Sequence, residues 1–268
     1  MDDRPIGIID SGIGGITVLN TIVQRLPNEN IIYLGDTKRI PYGTKTKEEI
    51  IEFAKQGIEF LISQDVKLIV VACETISGVL KRIVNNYEIP IIGTIRPVAK
   101  NLNRYTKTNE IGIITTPISL QNNVWKKEIA KYYKGVNILN ETCPLLVGLA
   151  EEGVFNTKEI EPVIDEYMKP FYNSNIDCLI LGCTHYSLFK KYIEKCLGDN
   201  VNVVDVGEEV SKKVERMLEN GSFRNMSTNG TTYKCFITKD VDKFVNVTNM
   251  FSDIKFDSME SVSLESLR

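Results

Sequence analysis

Cys178-Leu-Ile-Leu-Gly-Cys-Thr-His-Tyr186 decides how the chain is read: an apolar run stops at Gly182, and Cys183, Thr184 and His185 follow it, the last being the only histidine. A short apolar run bounded by glycine suits a strand buried in a parallel sheet. Small polar residues just past such a strand lie at its carboxyl edge, where α/β proteins place their ligands. A second stretch, Val66-Lys-Leu-Ile-Val-Val-Ala-Cys-Glu-Thr75, has the same layout, with Cys73 and then Thr75 behind the apolar run. Two cysteines at equivalent strand ends imply two thiols facing one site.

Outward from these two stretches, strand-like and helix-like segments alternate. Pro5–Ile9 reads as a buried strand, and Asp10-Ser-Gly-Ile-Gly-Gly15 as a glycine-rich turn into a helix reaching about Leu26. Asn30–Leu34 is a second strand, followed by Gly35-Asp-Thr-Lys-Arg-Ile-Pro-Tyr-Gly43. Thr46–Ser63 carries Ile50, Phe53, Ala54, Ile58 and Leu61 at helical spacing, with Lys47-Glu48-Glu49 in its first turn. The Cys73 strand, a helix near Ile76–Tyr87 and a strand Ile89–Thr94 come next. This order implies a doubly wound parallel sheet with right-handed crossovers.

The pattern then recurs. Ile6-Gly-Ile-Ile-Asp-Ser11 returns as Ile111-Gly-Ile-Ile-Thr-Thr116, and Cys73 returns as Cys183. Asn30–Leu34 has its counterpart near Val136–Leu139, and Ile89–Thr94 near Val201–Val206. Recurrence of whole strands in fixed order points to an internal duplication. The expected fold is α/β, two similar doubly wound parallel-sheet domains with the active site between them. The first domain takes residues 1–96 plus 208–268, and the second takes 97–207. The returning segment offers an amphipathic helix (Val210, Val214, Met217, Leu218), a strand Thr232–Ile237 and a helix around Asp240–Phe251. It is expected to complete the first lobe, with a loosely held polar tail from about Asp257.

Composition narrows the class. A chain of 268 residues with 43% hydrophobic and 25% charged content is that of a globular protein with ample core. A net charge of −3 provides no electrostatic reason to expect nucleic acid or a membrane surface as a partner. The N-terminus shows neither the basic nor the apolar region of a signal peptide, and no apolar run reaches transmembrane length. Six cysteines without dense spacing read as reduced thiols in a cytoplasmic protein. One histidine and no Cys-x-x-Cys pair argue against a metal site, and no cofactor signature is present.

A thiol at each of two facing strand ends is what a two-base proton transfer needs. One group removes a proton from a carbon lying between them and the other delivers one to the opposite face. A free thiol has a pKa of roughly 8.5, so each cysteine needs help to ionise or to be reprotonated. Asp10, at the end of the first strand, and His185, two residues from Cys183, are placed to give it. Cys143, Cys178, Cys196 and Cys235 read as small buried hydrophobes. The glycines of the Asp10–Gly15 turn let backbone amides approach an anion.

At this point the chain resembles the glutamate racemase family. The resemblance is carried by Asp10-Ser-Gly-Ile-Gly-Gly-Ile-Thr-Val18, Gly35-Asp-Thr-x-Arg-x-Pro-Tyr-Gly43, Val71-Ala-Cys-x-Thr75 and Leu181-Gly-Cys-Thr-His-Tyr186. It implies a cofactor-independent enzyme that supplies D-glutamate for peptidoglycan, and a homodimer. It further implies Cys73 as the base acting on D-glutamate and Cys183 as the base acting on L-glutamate. Asp10 would assist Cys73, while His185 and Glu151 would serve Cys183. Ser11, Pro41, Tyr42, Gly43, Thr75 and Thr184 fall on substrate-holding positions, and Asp36 on a position near the site.

Three departures stand out. Glu74 occupies a substrate-contacting position where the family has Asn, Arg96 is unusual in Thr94-Ile-Arg-Pro97-Val98, and Ser187 replaces a proline. A carboxylate facing a dianionic substrate costs several kcal/mol unless one charge is neutralised. Two arrangements meet this requirement: Glu74 swings aside to pair with Arg96, or it points to solvent at the cleft mouth. Glu74 also keeps open two other functions, racemisation of a different amino acid and an inactive binding or regulatory role.

Overall fold

The computed structural model describes residues 2–155, 158–226 and 230–265. Ten strands are described: β1 Ile6–Asp10, β2 Ile31–Gly35, β3 Leu68–Val71, β4 Ile91–Gly93, β5 Glu110–Thr115, β6 Asn137–Thr142, β7 Cys178–Gly182, β8 Asn202–Val204, β9 Tyr233–Ile237 and β10 Ser258–Ser261. They form two all-parallel sheets, ordered β10-β9-β2-β1-β3-β4 and β6-β5-β7-β8. Strands β2-β1-β3-β4 of the first sheet repeat the order of the second, so β1 corresponds to β5 and β3 to β7. β1, β3 and β7 are buried along their whole length, which is why they read as apolar runs without alternation.

Helices cover the faces. Lys47–Ser63 opens on a capping box, in which Thr46 and Glu49 satisfy each other's backbone N–H groups. Gly207–Asn220 buries Val210, Val214 and Leu218 on one stripe and packs against Gly15–Arg25. The segment from β8 onward therefore returns to the first sheet, where β9 pairs with β2.

Two expectations are corrected. In place of a helix over 76–87 there is a short helix, Glu74–Ser77, and two 3-10 turns, Leu80–Arg82 and Val84–Asn86. Gly78 and the β-branched Val79, Ile83 and Val84 disfavour continuing an α-helix there. The polar tail is not loose, since Ser258–Ser261 adds an edge strand and Leu264 is buried. An edge strand needs no apolar residue on its open face, so polarity concealed it. Residues 266–268 of that expected tail lie outside the described residues.

A buried ion pair fastens the base of the first lobe. Lys67 Nζ lies 2.6 Å from Glu29 Oε2, and both side chains are almost wholly inaccessible. The ammonium also donates to the carbonyls of Asp2 (2.7 Å) and Phe223 (2.8 Å), while Glu29 Oε1 accepts from Asn225 N–H at 2.8 Å. Four chain segments, at residues 2, 29, 67 and 223–225, thus meet at one pair of charges. Lys67→Met, which leaves Glu29 buried and unpaired, is expected to cost about 3–5 kcal/mol in urea unfolding. The double change Lys67→Met/Glu29→Gln should recover part of that loss; equal destabilisation by the single and double variants would contradict a buried-charge penalty.

Candidate active site

The carboxyl ends of β1, β3, β5 and β7 converge on one seam. Cys73 follows β3 and Cys183 follows β7, each buried, and the Cys73 charge acts on Cys183 across the seam. Beside them lie Asp10, Ser11, Glu74, Thr75, Thr184 and His185, all buried.

The two thiols have separate partners. The Cys73 thiol is 4.0 Å from Ser11 Oγ, to which it donates. Cys183 Sγ lies 3.7 Å from His185 Nδ1, and His185 Nε2 lies 2.6 Å from Glu151 Oε1. Glu151, the last residue of helix Pro144–Glu151, also accepts the Ile13 N–H at 3.0 Å, so the glycine-rich turn orients it. Asp10 accepts from Gly12 N–H at 2.9 Å and from the Thr184 hydroxyl at 3.2 Å, and it is also the charged group that acts most on Cys73, so it stands between the two lobes.

Glu74 lies inside the seam. Its Oε2 accepts the Thr184 N–H at 2.8 Å, and its Oε1 is buried without a protein partner. Arg96 is exposed, and its Nε donates to Tyr132 Oη at 3.1 Å. Both expected arrangements of Glu74 are therefore wrong. Glu74 opens the short helix Glu74–Ser77, which aims its side chain at the facing lobe, whereas Arg96 projects from helix Ile95–Lys100 to the surface.

The remaining candidates sit in two shells. Tyr42 is buried and donates to Asp36 Oδ2; Arg39 Nε reaches the same oxygen at 2.5 Å, and the Thr238 hydroxyl donates to Oδ1 at 2.9 Å. Asp36 is thus spent on holding the Tyr42 turn. Gly43 abuts Thr116, whereas Pro41 is exposed beside them. Thr75 Oγ1 and Thr116 Oγ1 are 3.2 Å apart, and Thr116 donates to Ser119 Oγ at 2.9 Å. Thr116 was missed as a site residue, although the repeat pairs it with Ser11.

Burial governs the electrostatics. It pushes Asp10 up to about 6, against the opposing pull of His185, the Gly12 N–H and the Thr184 hydroxyl. It raises Glu74 well above the usual carboxyl range, with Asp10 adding to the effect. Burial and then Asp10 raise Cys73, and burial followed by Glu74 and Cys73 raises Cys183. For His185, burial is the largest influence and favours the neutral ring, but the Glu151 hydrogen bond and the Glu151 and Asp10 charges together outweigh it and the pKa rises. Among the described residues no group of three or more His, Cys, Asp or Glu side chains is arranged to hold a metal ion. Nor is any described helix long and apolar enough to cross a membrane.

Residues 6–212 match the Asp/Glu/Hydantoin racemase family. The chain belongs to that family. It is 35% identical over 266 residues to a glutamate racemase of Lactococcus lactis, covering 99% of this chain and 98% of that one. A glutamate racemase isoform of Bacillus anthracis superposes with a TM-score of 0.93 at 31% identity, covering 98% of this chain and 99% of that one. A Francisella tularensis glutamate racemase solved with D-glutamate gives 0.91 at 38% identity, with coverage of 99% and 100%.

The seam depends on close backbone approach. A Cβ on Gly14 would collide with Thr184 Oγ1 and come within 2.8 Å of His185 Nδ1 and 2.9 Å of His185 N. Gly14→Ala is expected to lower kcat/KM by about 100-fold, because a misplacement of roughly 1 Å has that effect on catalysis. Thermal unfolding should change little, since the clash is between lobes and not within a core. Undiminished activity in Gly14→Ala would mean that the lobes need not meet this closely.

Proposed function

We propose that this racemase interconverts L- and D-glutamate by a two-base proton transfer between Cys73 and Cys183. The observation that carries the reading is the pair of buried thiols at equivalent strand ends of two duplicated sheets, each with its own hydrogen-bonding helpers. The Cys73 thiolate takes the α-proton of D-glutamate, and the Cys183 thiol delivers a proton to the opposite face, leaving L-glutamate, a neutral Cys73 and a Cys183 thiolate. The reverse direction exchanges the roles. Asp10 takes and returns a proton on the Cys73 side, and the His185–Glu151 pair does so for Cys183. Ser11, Tyr42, Gly43, Thr75, Thr116 and Thr184 hold the substrate's carboxylates and amine, Pro41 shapes the turn that presents Tyr42, and Asp36 positions it.

No cofactor enters this scheme. The full-length match to glutamate racemases favours glutamate over another amino acid or an inactive binding role. The same reading takes the lobes as residues 1–96 with 208–268 and residues 97–207. It places the enzyme in the cytoplasm as a homodimer that supplies D-glutamate for peptidoglycan.

Cys73→Ser and Cys183→Ser should each abolish racemisation followed by circular dichroism, because an alcohol is a far weaker base-forming group than a thiol. Each single variant should still eliminate HX from a β-substituted substrate in one stereochemical series only, since elimination needs one base. Racemisation of glutamate by the double variant would sink the mechanism.

The pH dependence follows from Asp10. Its folded value of about 6 lies above its ordinary 3.8, so its neutral form contributes stability that is present below 3.8 and lost as pH rises through about 6. Its carboxylate, the form that accepts a proton, appears over the same interval. The kcat/KM for D-glutamate is therefore expected to climb as pH rises through about 6, and Asp10→Asn should remove that limb along with most activity. An unchanged acid limb in Asp10→Asn would assign it to another group.

A further inference from the structure

The Glu74 carboxyl group is the one acidic side chain among the seam candidates that the proton-transfer scheme does not use. We propose that Glu74 works as an undissociated carboxylic acid that reads a substrate carboxylate, accepting the Thr184 N–H with Oε2 and donating from Oε1–H. The proposal rests on the reading of glutamate as substrate and names the group that takes one end of it.

The geometry supports this in three ways. Glu74 is fully buried, and the groups that face it are anionic or polar: Asp10 from β1, Cys73 beside it in the chain, Cys183 and Thr184 from β7, and Asp205 after β8. Among the described residues no lysine, arginine or histidine forms an ion pair with it. Its two oxygens are also differentiated. Oε2 accepts the Thr184 N–H, and the residue's own N–H also acts on the carboxyl group, while Oε1 is enclosed without a hydrogen-bond partner, which makes it the oxygen free to carry a proton.

A neutral carboxylic acid presents one acceptor and one donor, as a side-chain amide does. Glu74 in this form can therefore offer a substrate carboxylate the donor that an amide would. The carboxylate form cannot, because it is acceptor-only and repels a dicarboxylate substrate. A substrate carboxylate arriving at Oε1 disfavours ionisation further, so binding and protonation of Glu74 reinforce each other.

Difference infrared spectroscopy of wild type against Glu74→Gln tests the protonation state in ligand-free protein. An undissociated carboxylic C=O band present in wild type and absent from Glu74→Gln is expected, and it should shift when D-glutamate is added. A difference confined to carboxylate bands would overturn the proposal. Kinetics test the donor. Glu74→Ala should raise KM for glutamate about 10- to 100-fold, the span of a lost hydrogen bond to a charged group. Glu74→Gln should restore most of that loss and remove the rise in KM that ionisation of Glu74 produces at alkaline pH. Equal KM increases in the Ala and Gln variants would rule out the donor role. Because the band is read without substrate, absence of glutamate turnover would count against the glutamate reading alone.

Discussion

Three carboxyl groups and two thiols share a dry seam with a single imidazole, and the rest of the site is arranged around that imbalance. Burial penalises every anion there, and among the described residues no arginine or lysine forms an ion pair with them to offset it. The response is distribution. Glu151 is matched with His185, Asp10 is held by a backbone N–H and a hydroxyl, and Glu74 rests on the Thr184 N–H with one oxygen. The thiols, raised by these same neighbours, stay protonated until a positive charge or a proton acceptor changes the balance. In the proposed two-thiol scheme, a substrate ammonium entering between them supplies such a charge, which makes binding and thiol activation one event.

The scaffold is nearly symmetric, and the charges on it are not. The repeat pairs Asp10 with Thr115, Ser11 with Thr116, Cys73 with Cys183, Glu74 with Thr184 and Thr75 with His185. In four of these pairs the two residues differ, and in three of the four an ionisable group faces a hydroxyl. Glu74 and Thr184, equivalent by duplication, bond directly to one another across the seam. So do Thr75 and Thr116, which come from opposite repeats. Two sheets of the same order fix where the groups stand, and the substitutions between repeats fix which side is acidic. This asymmetry permits two thiols of equal chemistry to have different helpers.

The apolar runs of β1, β3, β5 and β7 announced themselves because strands buried on both faces lose the alternation that would confuse them with surface strands. Cys73 and Cys183 followed from their place at the ends of those runs. Glu74 could not be oriented in the same way. Its direction depends on the facing lobe offering the Thr184 N–H, a contact between residues 110 positions apart that no local pattern encodes. Arg96 misled for a related reason: chain proximity at strand ends says nothing about which way a helix turns its side chains. Thr116 was within reach, since its equivalence to Ser11 was visible, but a threonine after a strand carries no chemical signal of its own.

Closure and charge are therefore the same variable. The raised pKa values of the seam's Asp10, Glu74, Cys73 and Cys183 are each produced first by burial, so water entering between the lobes would relax these four together. The lobes are joined by the segment after β4 and by helix Gly207–Asn220, and Glu209 knits these two connections. It is buried and accepts from Asn101 Nδ2 at 2.6 Å and from the Tyr105 hydroxyl at 2.8 Å. Arg104 and Lys212 reach Oε1, the oxygen that also accepts from Tyr105, so this carboxylate, unlike Asp10 and Glu74 of the seam, is compensated by cations. A charge neutralised by side chains can stay buried in any state of the lobes. Charges neutralised only by protons, as at Glu74, hold only while the seam is shut, and this ties the protonation of the site to the distance between its halves.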